Sequence, residues 1–142
     1  MPALRKFIAL AAAVAVGSSV FTGAAWAKSL TLTETYEPDE WRDPKNAIGN
    51  ILVDEWAEEA KQEFGSYGFA YGLITISGKV FLVSSLRGAS CVPNSCTWRI
   101  DRLSSGYRVE ASGKPFEACG EINKVETKGD ELTICGKKVV LP

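Results

Sequence analysis

The sequence predicts an α+β domain: one amphipathic N-terminal helix packed on a mostly antiparallel β-sheet, with two disulfides. Three observations carry this. Apolar residues recur every four positions from Ile48 to Phe64. Short β-type runs separated by glycine-containing turns fill the chain from Phe69 onward. Four cysteines, Cys91, Cys96, Cys119 and Cys135, all fall in that second part.

Ahead of the domain, Arg5 and Lys6 precede an apolar run from Phe7 to about Val16, and small residues then lead to Ala25-Trp26-Ala27. A basic start, an apolar centre and an Ala-x-Ala site form the pattern of a secretory signal, so residues 1–27 are expected to be removed and residues 28–142 to form one domain. The apolar run breaks at Gly17-Ser18-Ser19, short of the roughly 20 residues that span a bilayer. The expected location is the periplasm or the exterior, with no membrane span.

Lys28 to Arg42 reads as an extended lead-in, with Leu30-Thr31-Leu32-Thr33 alternating as in a short strand. Asp43-Pro44 is a helix start, since Asp caps free amides and Pro fits the first turn. From there Ile48, Leu52, Trp56, Ala60 and Phe64, joined by Ile51, define an apolar side. Asp54, Glu55, Glu58, Glu59 and Glu63 occupy the rest. The helix is expected over 44–64, ending at Gly65. Over 69–141 the expected strands are Ala70–Ser77, Val80–Leu86, Thr97–Leu103, Tyr107–Ala111, Ile122–Thr127, Glu131–Cys135 and Lys138–Leu141. Turns at Ser77-Gly78-Lys79, Ser104-Ser105-Gly106 and Lys128-Gly129-Asp130 make them antiparallel.

Composition excludes more functions than it selects. The chain contains no histidine, so hydrolysis by a Ser-His-Asp or Cys-His set has no base. The common His-containing metal sites are excluded for the same reason, and the cysteine spacing is not that of a zinc pair. No glycine-rich phosphate loop is present and no cofactor is implied. Residues 28–64 carry 10 acidic and 4 basic side chains, residues 65–142 carry 7 and 10. This polarity, without a dense basic stripe, argues against nucleic acid as a partner.

An even cysteine number in an exported domain reads as two disulfides, and four cysteines allow three connectivities. Proximity in sequence favours Cys91–Cys96 with Cys119–Cys135. The first would close a loop of only four residues, Val92-Pro93-Asn94-Ser95. Pro93 stiffens it by fixing φ. A rigid projecting loop loses little freedom on binding and suits insertion into a partner's cleft. The plainer reading, that the bridge only clips a hairpin end, stands beside it.

Cys91-Val92-Pro93-Asn94-Ser95-Cys96, set between the strand ending Phe81-Leu82-Val83-Ser84 and the strand around Trp98-Arg99-Ile100, resembles the Ivy-type periplasmic lysozyme inhibitors. That family carries a Cys-x-Pro-x-x-Cys loop between strands and blocks the lysozyme active cleft with it. The resemblance implies a non-enzymatic protein whose partner is a lysozyme or another cell-wall hydrolase. The contacts would come from Cys91, Val92, Pro93, Asn94, Ser95 and Cys96, with Arg87 and Arg99 in support. The family has His after the Pro where this chain has Asn94, which can hydrogen-bond a carboxylate but carries no charge. Cys119–Cys135 lies outside the shared motif.

Two other functions stand open: an interaction module of an envelope assembly, and a small carboxylate-dependent enzyme using Glu37, Asp39 or Glu40 beside Trp41. Trp56 and Trp98 lie on amphipathic elements and are expected in the core. Tyr67, Phe69 and Tyr71 are weighed as packing residues or as a groove.

Overall fold

The computed structural model describes residues 28–36, 46–120 and 122–142. Among them are ten strands and two short helices: β1 (Lys28–Thr31), β2 (Thr33–Tyr36), α1 (Ala47–Glu55), α2 (Ala57–Ala60), β3 (Gly68–Ile76), β4 (Lys79–Arg87), β5 (Cys96–Leu103), β6 (Val109–Ala111), β7 (Phe116–Ala118), β8 (Lys124–Lys128), β9 (Glu131–Ile134) and β10 (Lys137–Val139). All pairings are antiparallel.

The strands form two sheets rather than one. The larger has the order β2-β3-β4-β5-β6, with β7 also pairing β5; the smaller has the order β1-β8-β9-β10. One core lies between them, drawing Ala70, Phe81, Val83, Trp98 and Ile100 from the larger sheet and Val125, Leu132 and Ile134 from the smaller. Gly72 permits the close approach: a Cβ there would stand 2.9 Å from Leu30 Cδ2 and 3.1 Å from Leu32 Cδ2. A second core lies on the other face of the larger sheet, where Leu52 and Trp56 meet Phe69, Leu82, Leu86 and Leu103. Burying each such apolar side chain stabilises by roughly 1.5–3 kcal/mol. The larger sheet is therefore covered on both faces, which is why β4 is buried without interruption from Phe81 to Leu86.

This corrects the expected α+β class. The molecule is mostly antiparallel β, and no long amphipathic N-terminal helix covers 44–64. The helix starts at Ala47, capped by the Asn46 side chain, which accepts from the Gly49 backbone N–H at 2.9 Å; Asp43 and Pro44 lie outside the described residues. It stops at Trp56 (φ −98°, ψ 6°), and α2 adds one four-residue turn. The apolar spacing contains the reason. A strict four-residue repeat drifts about 40° per step on an α-helix, so Phe64 would stand about 160° from Ile48 and could not share its face. Phe64 is 88% exposed. Trp56 is held in place instead: fully buried, it donates from Nε1 to Ser84 Oγ at 2.9 Å and lies under the Arg99 guanidinium, 5.0 Å from the ring centre.

The expected strands over 69–141 fall near the observed ones, but β7 was not among them. Two turns have both central residues at positive φ, Ser77-Gly78 between β3 and β4 and Cys135-Gly136 between β9 and β10, the geometry that matches strand twist in a two-residue hairpin. Residues 1–27, the expected signal, lie outside the described residues. No helix among the described residues is long and apolar enough to cross a membrane.

Candidate functional site

The two central strands, β4 and β5, are joined by residues 88–95. The chain first turns tightly, with Cys91 N–H donating to Gly88 O at 3.0 Å, and then doubles back. Val92 N–H donates to Ser95 O at 2.9 Å and Ser95 N–H to Val92 O at 3.1 Å, leaving Pro93-Asn94 at the tip. Cys91 and Cys96 are bridged directly beneath. Val92, Pro93 and Asn94 are exposed while Cys96 is buried, so the loop is anchored at its base and presented at its tip. The Asn94 side chain makes no hydrogen bond among the described residues.

Two braces hold the loop from opposite sides. After α2, the Glu63 carboxylate accepts from Ser90 Oγ and, at 3.3 Å, from the Ser90 backbone N–H. On the other side Gly120 N–H donates to Pro93 O at 3.0 Å. Gly120 sits so close that a Cβ would overlap the Val92 carbonyl oxygen and stand 3.0 Å from Cys91 Sγ. Its neighbour Cys119 is bridged to Cys135 in the β9–β10 turn. The two disulfides thus belong to one assembly running from the loop tip to the smaller sheet. Trp98 reinforces it: fully buried, it donates from Nε1 to Cys119 O at 2.9 Å.

The two supporting arginines part company. Arg87 lies at the base of the loop, 5.6 Å over the Trp98 ring, and donates from Nη2 to Ile122 O at 2.6 Å. Arg99 is not brought to the loop. Odd-numbered residues of β5 face the helices, and Arg99, 8% exposed, donates to Glu55 O and to Glu59 Oε1 at 3.1 Å, with Glu55 Oε2 at 3.5 Å. Its role is to join helix and sheet, where a buried ion pair is costly to break.

Beside it, on the same face, is fully buried Asp101, whose Oδ1 accepts from Gly113 N–H at 2.9 Å while Oδ2 has no partner. Burial pushes its carboxyl up to about 6; the Gly113 hydrogen bond and Arg99 pull it down, and Glu55 pushes it up. A raised carboxyl pKa is a mark of catalytic acids, but Asp101 has no exposed surface through which a substrate could reach it.

Glu37, Asp39, Glu40 and Trp41 lie outside the described residues. Tyr67, Phe69 and Tyr71 are not among the residues lining the cavity described below. Tyr67 meets Phe69 edge-on with ring centres 6.0 Å apart, and all three pack into the core beneath the helices. Arg102 pairs with Glu110 at 3.5 Å, away from the loop. No three His, Cys, Asp or Glu side chains among the described residues converge as a metal site would need.

Sequence reasoning missed both braces. Glu63 read as one more acid on a wet helix face. Gly120, next to a cysteine, was the available signal for a close backbone approach. No protein-family model, curated protein or solved structure matches the chain.

Proposed function

We propose that this protein is a non-enzymatic periplasmic binding protein that inhibits a lysozyme-like cell-wall hydrolase by inserting the Cys91–Cys96 loop into its active cleft. One observation carries the reading. The exposed Val92-Pro93-Asn94 tip stands on a disulfide and is braced by Glu63 and by Gly120. A hairpin end that needed only clipping would not need both braces as well. Holding the tip backbone in one shape before binding removes an ordering cost of about 1–2 kcal/mol per residue fixed.

In the cleft, the Asn94 amide donates to a catalytic carboxylate while Val92 packs against the wall. An amide donor to the acid carboxylate favours its ionised form and so opposes protonation of the leaving group. The acidic residues 28–64 steer a basic enzyme toward the loop. Arg99 has no part in the contact.

The test is inhibition of c-, g- and i-type lysozymes by the oxidised protein, read by lysis of cell walls. Stoichiometric inhibition of one type is expected. Val92→Glu with Asn94→Glu should weaken it at least thirtyfold, about 2 kcal/mol at a binding hot spot, while leaving the fold intact because both residues are exposed. Inhibition unchanged by the double substitution would exclude the loop as the contact. No inhibition of any type would exclude the lysozyme reading.

A further inference from the structure

A separate recess lies between the two sheets' free edges. β5 is bordered by β7 over Cys96–Trp98 and by β6 only at Arg102 and Leu103. Between them the chain crosses Ile100 and Asp101 as an irregular span, 112–115, with Gly113 pressed onto the Ile100 carbonyl so that a Cβ would overlap it. β10 is three residues long and pairs on one side only, with β9. The space left between β7 with its leading span and the segment from β10 to Pro142 is a cavity of about 500 Å³, within the 300–1,000 Å³ of small-molecule sites.

Its floor is apolar. Ile100 and Ala118 belong to the core between the sheets, and Phe116, Val139 and Leu141 pack against it. Val140, also lining the recess, is 90% exposed. The charged lining has one dominant sign. Lys114 stands on one wall and Lys137 and Lys138 on the other, against one acidic side chain, that of Glu117, and the main-chain oxygen of Pro142, which accepts from Arg102 Nη1 at 3.5 Å. Lys138 is engaged by Glu131 at 2.6 Å. Lys114 and Lys137 have no acidic partner among the described residues.

An apolar trough with lysines on both walls offers contact for a hydrocarbon chain and attraction for an anion together. We propose that this recess binds a free single-chain anionic amphiphile, a fatty-acid carboxylate. The hydrocarbon would lie along Ile100, Phe116 and Leu141, with the carboxylate between Lys114 and Lys137. The apolar floor distinguishes this occupant from a small inorganic anion, and the lysines distinguish it from a neutral hydrocarbon. None of the residues lining the recess belongs to the cysteine loop, so the proposal does not rest on hydrolase inhibition.

The experiment is calorimetric titration of the full oxidised protein with fatty acids of increasing length below their micellar concentration. The matched alcohols and vesicles of diacyl phosphatidylglycerol are titrated in parallel. One-to-one saturable binding is expected, tightening about fourfold per methylene until the recess is full. Alcohols should bind about tenfold more weakly than acids. Lys114→Glu with Lys137→Glu, both at exposed positions, should erase that preference while leaving alcohol binding unchanged, and Asn94 variants should bind as the parent does. Absence of saturable binding at every chain length, equal affinity for acid and alcohol, or binding to vesicles alone would each overturn the proposal.

Discussion

Replacing Asp101 by asparagine isolates the effect of one buried carboxyl on the stability of the whole domain. Asp101 is fully buried on the helix-facing side of β5, and its carboxyl is raised from 3.8 to about 6. Because the folded-state value lies above the unfolded one, the folded protein holds this proton more tightly. The carboxyl's contribution is therefore most favourable below about pH 4, is lost as pH rises from about 4 to about 6, and is level above that. A difference of about two pH units corresponds to at most about 3 kcal/mol. The asparagine side chain cannot ionise, keeps an oxygen to accept from Gly113 N–H, and places a donor where Oδ2 now has no partner. The Asp101→Asn protein should match the parent near pH 3.5 and exceed it by about 2–3 kcal/mol at pH 7.5. Urea unfolding of both proteins from pH 3.5 to 7.5 measures this. Taking the difference between them cancels titrations common to both. A difference that stays flat across the range, or that favours the parent increasingly as pH rises, would refute the argument that burial dominates at this site.

Three further outcomes are expected. Trp56→Phe removes the donor to Ser84 Oγ, which is buried, and should cost about 1–3 kcal/mol in urea unfolding; adding Ser84→Ala should recover part of that loss. Serine in place of Cys119 and Cys135, 16 positions apart, should cost about 3 kcal/mol, against about 2 kcal/mol for Cys91 and Cys96, five apart, with non-reducing denaturation as the readout. Gly120→Ala should displace the loop by forcing a methyl onto the Val92 carbonyl; loss of inhibition with little loss of thermal stability is the expected pattern, and parallel loss of both would show a general folding defect instead.

Most strands were legible because turn residues punctuate β-rich runs, and glycine at 78 and 129 fell at turns as expected. The division into two sheets was not legible. Alternation within β8 to β10 tells which residues face inward, but not whether they extend the first sheet or face it. The helix was overread because a repeat of four looks helical while it drifts off one face over 16 residues. β7 escaped notice because Phe116-Glu117-Ala118 is too short to show a period. For the site, the cysteine loop was visible as a motif with a proline inside it. Its braces were not visible, since Glu63 and Ser90 are 27 residues apart, and a contact of that range leaves no local pattern. Arg99 was misplaced for the related reason that strand parity gives two faces without saying which one carries the loop.

Lys28–Tyr36 is divided between the sheets. β1 pairs with β8, Lys28 opposite Thr127, while β2 pairs with β3, Thr33 opposite Tyr71. Leu32, buried between the two strands, is the crossing point. The first strand therefore cannot be seated until β8 exists, near the end of the chain. Pairings this distant in sequence are paid for in loop closure before they return any contact, and they slow folding toward the millisecond-to-second range. Until then the free edges of β3 and β8 are templates for another chain. An N-terminal segment that joins both sheets covers the edges of β3 and β8 together, leaving β6, β7 and β10 as edges that other features must protect.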